Sequence, residues 1–264
     1  MRALLISLLL ALVVGACSTV PGTGRRQLLL LSSGEEMQLG ATAYTEMLAT
    51  ERIITSGADA AMVQRIGERI AASAIDYLPD SDAKRFNWEF KLIDDPDMVN
   101  AWALPGGKTA VYTGLLPITG DEDSLAAVMG HEVAHAIARH GNERMSTGMV
   151  LQVGMLGVDM GTRDMDPADR DMIMAGLGLG ANVGVMLPFS RSHESEADHI
   201  GLMLAANAGY NPEAAIGLWQ RMGAASSGAP PEWLSTHPSS ETRIRKLQAL
   251  MPKANKLYRR ALNR

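Results

Sequence analysis

The 264-residue chain has one cysteine, Cys17, so no disulfide can form within it. It lacks a basic excess: the formal net charge is −5 and the lysines and arginines are scattered, which leaves no nucleic-acid footprint. No internal repeat divides it. Nor does it hold an apolar run suited to a membrane span of about 20 residues. Ala3 to Val14 is a short apolar stretch, and the Met- and Gly-rich segments Gly148 to Gly161 and Met172 to Leu187 both fall short. What remains fits one compact domain behind a short leader.

Against that background one pentapeptide stands out, His131-Glu132-Val133-Ala134-His135. Histidines four apart on a helix share a face, so both imidazoles can reach one Zn²⁺. Glu132 lies beside that face, where a carboxylate can act as base toward a water the metal activates. The surroundings read as helix: Leu125, Val128, Met129, Val133 and Ile137 recur at three- and four-residue spacing from about Asp123 to His140. Asp121, Glu122 and Asp123 complement the dipole at its start, and Gly141 is the expected cap at its end.

A third ligand is expected from Ser190 to His199, where Glu194 and Asp198 are four apart on a second predicted helix. Glu194 would complete a His₂Glu set with a fourth position open, and Asp198 would accept the remaining N–H of a ligand histidine. Glu196 and His193 are rival ligands, although Glu196 projects about 200° around the helix from Glu194. The same acidic cluster would otherwise be an ordinary hydrated face. His140, displaced about 140° from His135, and His199 are poorly placed as ligands.

With these residues in hand, HEVAH followed by Glu194-Ser195-Glu196-Ala197-Asp198 resembles the HtpX-like and CaaX-prenyl-protease-type gluzincin family of zinc metallopeptidases. It looks closest to the soluble bacterial branch, which includes periplasmic and outer-membrane-anchored proteases. Asn100-Ala101-Trp102-Ala103-Leu104-Pro105-Gly106-Gly107 through Leu116, and His237-Pro238-Ser239-Ser240 through Arg243-Ile244, also match, over roughly residues 25 to 250. The resemblance implies that Glu194, not His193 or Glu196, is the ligand, and that one catalytic Zn²⁺ serves an endopeptidase. It further implies an α+β fold, mainly helical, with a small antiparallel sheet whose edge strand lies over the zinc cleft. The implied substrates are misfolded or unassembled envelope proteins, in extended or unfolded form.

The residues upstream carry their own reading. Phe86, Trp88, Phe90 and Leu92 alternate as in a half-buried strand, and Pro105-Gly106-Gly107 separates two β-prone runs, Ala101–Leu104 and Thr109–Tyr112, as a hairpin would. An edge strand through Asn100, Ala101, Trp102 and Ala103 would pair with substrate backbone. A structural hairpin packed on the catalytic helix is compatible with that. The family's counterpart of His237 approaches the active site, where it could stabilise an oxyanion or occupy the metal's open position; a capping role is the alternative.

The N-terminus points to export. Met1-Arg2 and the apolar stretch read as a signal peptide over residues 1–16, and Val14-Gly15-Ala16-Cys17 resembles a bacterial lipobox. Ser18 after the cysteine matches outer-membrane sorting, on its periplasmic face, in a Gram-negative cell. Residues 17–32 are then a lipidated start and tether, 33–252 the peptidase domain, and 253–264 a solvated basic tail. Within the domain, Ser33 and Glu36 form a capping-box signature and Ala58 to Tyr77 a helix. Asn211-Pro212 opens a helix ending near Gly223, Ser226 to Pro231 is a loop, and the final helix spans about Ser239 to Met251. The Met- and Gly-rich segments, split by the charged loop 163–171, read as a buried helical hairpin, or else as an adaptable surface gating the cleft, touching lipid or binding clients. Two other functions fit the motifs. One is a chaperone-like envelope assembly factor with a plugged zinc site, working with assembly machinery; the other is a zinc hydrolase of small amides.

Overall fold

A computed structural model describes residues 17–181, 186–225 and 241–264, with Trp233, Ser235 and His237. The expected leader over 1–16, the loop Ser226 to Pro231 and the start of the last helix at Ser239 lie outside the described residues. Strands β1 (Cys17–Thr19) and β2 (Arg26–Leu28) pair antiparallel, with Cys17 exposed. The stretch read as a tether is therefore a docked strap. Val20 and Leu29 are buried, and the Leu30 amide donates to Ser146 Oγ at 2.8 Å.

Helix α1 (Ser33–Leu48) opens on a capping box, one residue earlier than expected: Ser32 is the cap and Glu35 closes the box. Two adjacent serines each have a glutamate three residues on, so spacing alone does not distinguish them. Glu36, excluded from the box, turns inward and is buried. Strand β3 (Ile53–Ile54) and α2 (Ala58–Tyr77) follow, the latter with the expected bounds. Strands β4 (Glu89–Ile93), β5 (Ala101–Leu104) and β6 (Lys108–Tyr112) complete a four-stranded sheet in the order β3-β4-β6-β5. The β3–β4 and β5–β6 pairs are antiparallel and β4–β6 is parallel. The turn between β5 and β6 needs left-handed backbone at two successive residues, and Gly106 (φ 86°) and Gly107 (φ 84°) supply it. In this order β5 is an edge.

After the short helix α3 (Leu116–Thr119), α4 (Glu122–Ile137) starts at Asp121, whose carboxylate accepts from the Ser124 amide at 2.7 Å. This helix is the centre of the molecule, with both HEVAH histidines in its second half. Gly141 does not cap it: the chain reverses at Arg139, whose φ of 59° is left-handed, and Gly141 belongs to α5 (His140–Gly161). Helices α6 (Pro167–Ala181), α7 (Leu187–Asn207), α8 (Ala214–Ala225) and α9 (Glu241–Leu262) follow. The basic stretch expected as a tail continues α9 through Pro252; Ala254 is buried, and Asn255 donates to Glu213 at 2.9 Å.

Two further features differ from expectation. The Met- and Gly-rich segments do form a helical pair, α5 and α6, but it is not buried: Val153, Leu156, Met160, Met172 and Leu179 are all more than half exposed. Second, α4 and α7 meet backbone to backbone. A Cβ on Gly130 would lie 2.8 Å from the Gly201 carbonyl oxygen, and one on Gly201 would lie 2.6 Å from the His131 nitrogen. That contact brings the two motif helices together next to His131. Among the described residues, no helix is long and apolar enough to cross a membrane.

Candidate active site

The crossing of α4 and α7 sets one turn of each helix face to face. From α4 come His131 and His135, and from α7 comes Glu194. His131 Nε2 and His135 Nε2 are 3.1 Å apart, and each is 3.4 Å from a Glu194 carboxylate oxygen. A tetrahedral zinc with ligands at 2.0–2.1 Å has ligand–ligand edges of about 3.3 Å. The two imidazoles stand at about that spacing from each other and each from its own oxygen of Glu194, Oε2 for His131 and Oε1 for His135, and an N₂O set suits the ion. His237 supplies a fourth donor: its Nδ1 is 3.2 Å from His131 Nε2 and 3.0 Å from a Glu194 oxygen. Among the described residues these four make up the one cluster able to hold a metal.

Protonation states follow from the surroundings. Burial pushes the His131 imidazole down, but Asp198 and Glu194 outweigh it and raise it to about 9. Such a pocket attracts a cation. Burial lowers His135 to about 3 despite Glu194, so it stays neutral, whereas His131 has to release a proton before it can bind a metal. Burial also opposes ionisation of Glu194, yet the imidazoles of His131, His135 and His237 hold its carboxyl far below the usual range.

Asp198 stands one turn from Glu194 and meets His131 Nδ1 at 3.1 Å. It is gripped in turn by Arg243 from α9, with Nε and Nη2 each 2.7 Å from a different carboxylate oxygen. Arg243 also reaches Glu194 at 3.1 Å and lies 3.8 Å over the Trp219 ring. This outweighs the burial of Asp198 and holds its carboxyl below the ordinary value. Arg243 is noted in the sequence only as part of a match; nothing local signals that it braces two carboxylates.

Glu132 is buried, and the indole N–H of Trp233 donates to its Oε1 at 2.8 Å. His237 Nε2 is 3.5 Å from the same oxygen. The Trp233 amide donates to the Val99 carbonyl, and the His237 amide donates to the Trp233 carbonyl, which tethers this segment to the approach of β5. A cavity of about 310 Å³ is lined by Asn100, Ala101, Trp102 and Ala103 together with Glu132, His135, Glu194 and His237. The expected substrate strand thus borders the cluster. Of the rival ligands, Glu196 turns to Arg25 and His140, and His193 turns to Glu143; neither they nor His199 join the four donors.

The model of peptidase family M48 matches residues 58–251. The chain is 38% identical to the mitochondrial metalloendopeptidase OMA1 of Schizosaccharomyces pombe over 241 residues, 89% of this chain and 66% of that protein. It is 33% identical to the mitochondrial metalloendopeptidase OMA1 of Homo sapiens, covering 90% of this chain and 46% of that one. Against the beta-barrel assembly-enhancing protease of Yersinia pestis the identity is 30%, over 85% of this chain and 46% of that one. The chain thus spans between about half and two thirds of the length of these curated relatives.

Proposed function

This chain belongs to peptidase family M48, and on that premise we propose that it is a zinc-dependent endopeptidase whose one metal ion is held by His131, His135 and Glu194. The observation that carries the reading is the convergence of these side chains, with the two Nε2 atoms 3.1 Å apart, each 3.4 Å from one of the two Glu194 oxygens, and all within the span of one metal site. Bound there, Zn²⁺ supplies Lewis acidity that polarises a scissile carbonyl and acidifies water. Glu132 takes the proton of the attacking water on its carboxylate and returns it to the leaving amine. Trp233 holds Oε1 of that carboxylate, which leaves Oε2 for the proton. Asp198, clamped by Arg243, accepts the Nδ1 proton of His131 and so leaves the Nε2 lone pair for the metal. The outer edge of β5, from Asn100 to Ala103, pairs with the backbone of an extended substrate, largely indifferent to its side chains.

His237 acts on the fourth position in this proposal. Its Nδ1 is close enough to His131 Nε2 and Glu194 to join them as a fourth ligand, and because a catalytic zinc needs one position for water, His237 would have to swing aside for turnover. Its Nε2 already lies 3.5 Å from Glu132 Oε1, on the side of the site where an oxyanion would need a hydrogen-bond donor. The protein is exported, carries lipid on Cys17 and works at the periplasmic face of an outer membrane on misfolded or unassembled envelope proteins. The lipobox-like segment, the exposed Cys17 and the relative named for beta-barrel assembly support that placement.

The test is degradation of an unfolded casein-like protein by the zinc-loaded chain beside its Glu132→Gln variant. Cleavage by the parent alone supports the protease and the role of Glu132 together. The plugged fourth position favours one second reading, a chaperone-like assembly factor in which proteolysis is secondary. Zinc bound by both proteins, with client maturation but no cleavage by either, would move the conclusion there.

A further inference from the structure

An imidazole that binds a metal through Nε2 keeps its proton on Nδ1, and a neighbour has to accept it. For His131 that neighbour is the Asp198 carboxylate. For His135 it is another imidazole: His140 Nδ1 lies 2.8 Å from His135 Nδ1. Two ring nitrogens that close share one proton. If His135 donates, His140 has no proton on Nδ1 and carries it on Nε2, and His140 Nε2 is 3.1 Å from Glu196 Oε2, an acceptor. One tautomer at the metal end thus determines every proton down the line.

The line ends outside the catalytic helices. Glu196 accepts from Arg25 Nε at 2.8 Å and from the Thr23 hydroxyl. The two terminal nitrogens of Arg25 grip Glu143 at 2.7 and 2.6 Å, and Glu143 takes His193 Nε2 at 2.9 Å. The His193 ring stacks on His140 with centroids 4.0 Å apart. The local backbone is bent to allow this: Arg139 adopts φ 59°, unusual for a residue with a Cβ, and it turns His140 back toward His135. Arg139 is itself fixed by Glu36 at 2.6 Å and by the Leu31 carbonyl at 3.0 Å.

We infer that His140, Glu196 and Arg25 form a positioning relay for His135, through which the N-terminal strap helps to set the metal affinity of the site. The inference rests on the zinc reading above and deepens it. It assigns work to Glu196 and His140, which are not themselves donors in the cluster. It also couples residues 17–31, next to the proposed lipid attachment point, to one metal ligand.

The experiment is zinc competition with a chelating dye on the full chain, with the visible spectrum of the Co²⁺ form and thermal unfolding of the metal-free form. The variants are His140→Ala, His140→Asn, Arg25→Ala and, as a control on the zinc reading, His135→Ala. Loss of the acceptor in His140→Ala should weaken zinc about 10- to 100-fold and perturb the Co²⁺ bands. His140→Asn, whose Oδ1 can stand where Nδ1 stood, should recover most of that loss. Arg25→Ala, at the edge of the network, should weaken zinc in the same direction by less. Parent-like zinc affinity in His140→Ala and Arg25→Ala, with only the melting temperature lowered, would overturn the relay and leave a purely structural network. Equal losses in His140→Ala and His140→Asn would overturn the acceptor role. If the parent and His135→Ala bind zinc alike, it is the zinc reading beneath the relay that fails.

Discussion

The crossing of α4 with α7 and the pair α5–α6 are built from similar proportions of aliphatic residues, the pair with the more glycine, and end up as opposites. At the crossing, glycines put two backbones in contact, and Leu125, Met129, Val133, Met203 and Leu204 are fully buried around them. In the helical pair, α6 buries none of its described residues, and α5 buries only His140, Asn142, Glu143 and Ser146, all near its start. The glycines of the pair, Gly148, Gly154, Gly157 and Gly176 among them, face open space. Composition therefore says little about what a residue does here; the contact it makes says nearly everything. The crossing brings the donors of His131, His135, Glu194 and His237 within 4.8 Å of one another. The exposed part of the pair has no partner within the described chain.

The largest effects should fall on the metal end of the crossing and should separate into two kinds. His135→Ala should abolish both zinc binding and peptide cleavage, and chelation of the parent should do the same reversibly. Glu132→Gln should keep the zinc, measured by metal analysis, and lower turnover about 10²- to 10⁴-fold, the range for a positioned acid–base group. Zinc loss in the Glu132 variant would make that residue part of the metal set and collapse the distinction.

Next comes the clamp behind the site. Arg243→Ala removes one partner of a buried ion pair and should destabilise by about 3–5 kcal/mol in denaturant unfolding. Its pH dependence has a sign. Arg243 outweighs burial and holds Asp198 below its ordinary value, so the pair's stabilisation is fully present above about pH 4 and is lost as the pH falls through the folded value. The gap between parent and variant should narrow in acid. A gap that widened there would mean that Asp198 is not the residue stabilised.

Much of this site is legible in the chain because two of its parts are local. HEVAH and the pair Glu194 and Asp198 repeat at the helical period, and that period alone sets Glu196 on another face, where it is found. The hairpin from Ala101 to Tyr112 is legible for the same reason, since two β-prone runs and the Pro-Gly-Gly break between them are all short-range. The rest depends on contacts between residues far apart in sequence. Arg243 reaches Asp198 across 45 residues, Arg25 reaches Glu196 across 171, and Trp233 reaches Glu132 across 101. No period marks any of them. Nothing local marks Gly130 or Gly201 as the point where two helices touch. The burial expected for the Met- and Gly-rich pair fails for a related reason: an apolar helix face has the same spacing whether or not something covers it.

The glycines give the sharpest form of the comparison, because one substitution should change sign between the two regions. Gly130→Ala puts a methyl 2.8 Å from the Gly201 carbonyl oxygen, a backbone atom that cannot rotate away, so the helices must part. Overpacking of that kind costs about 1–3 kcal/mol, and here it should also spread the donors and weaken zinc. Gly154→Ala and Gly157→Ala meet nothing within 4 Å, and both residues lie inside α5. Alanine restricts the unfolded chain and favours the helix, so each should stabilise by up to about 1 kcal/mol and leave zinc affinity unchanged. Thermal unfolding of the three variants against the parent reads the sign directly. Destabilisation by Gly154→Ala or Gly157→Ala would mean that the exposed face of α5 is held against something when the protein is folded, and the contrast between the two regions would then be one of partners and not of packing.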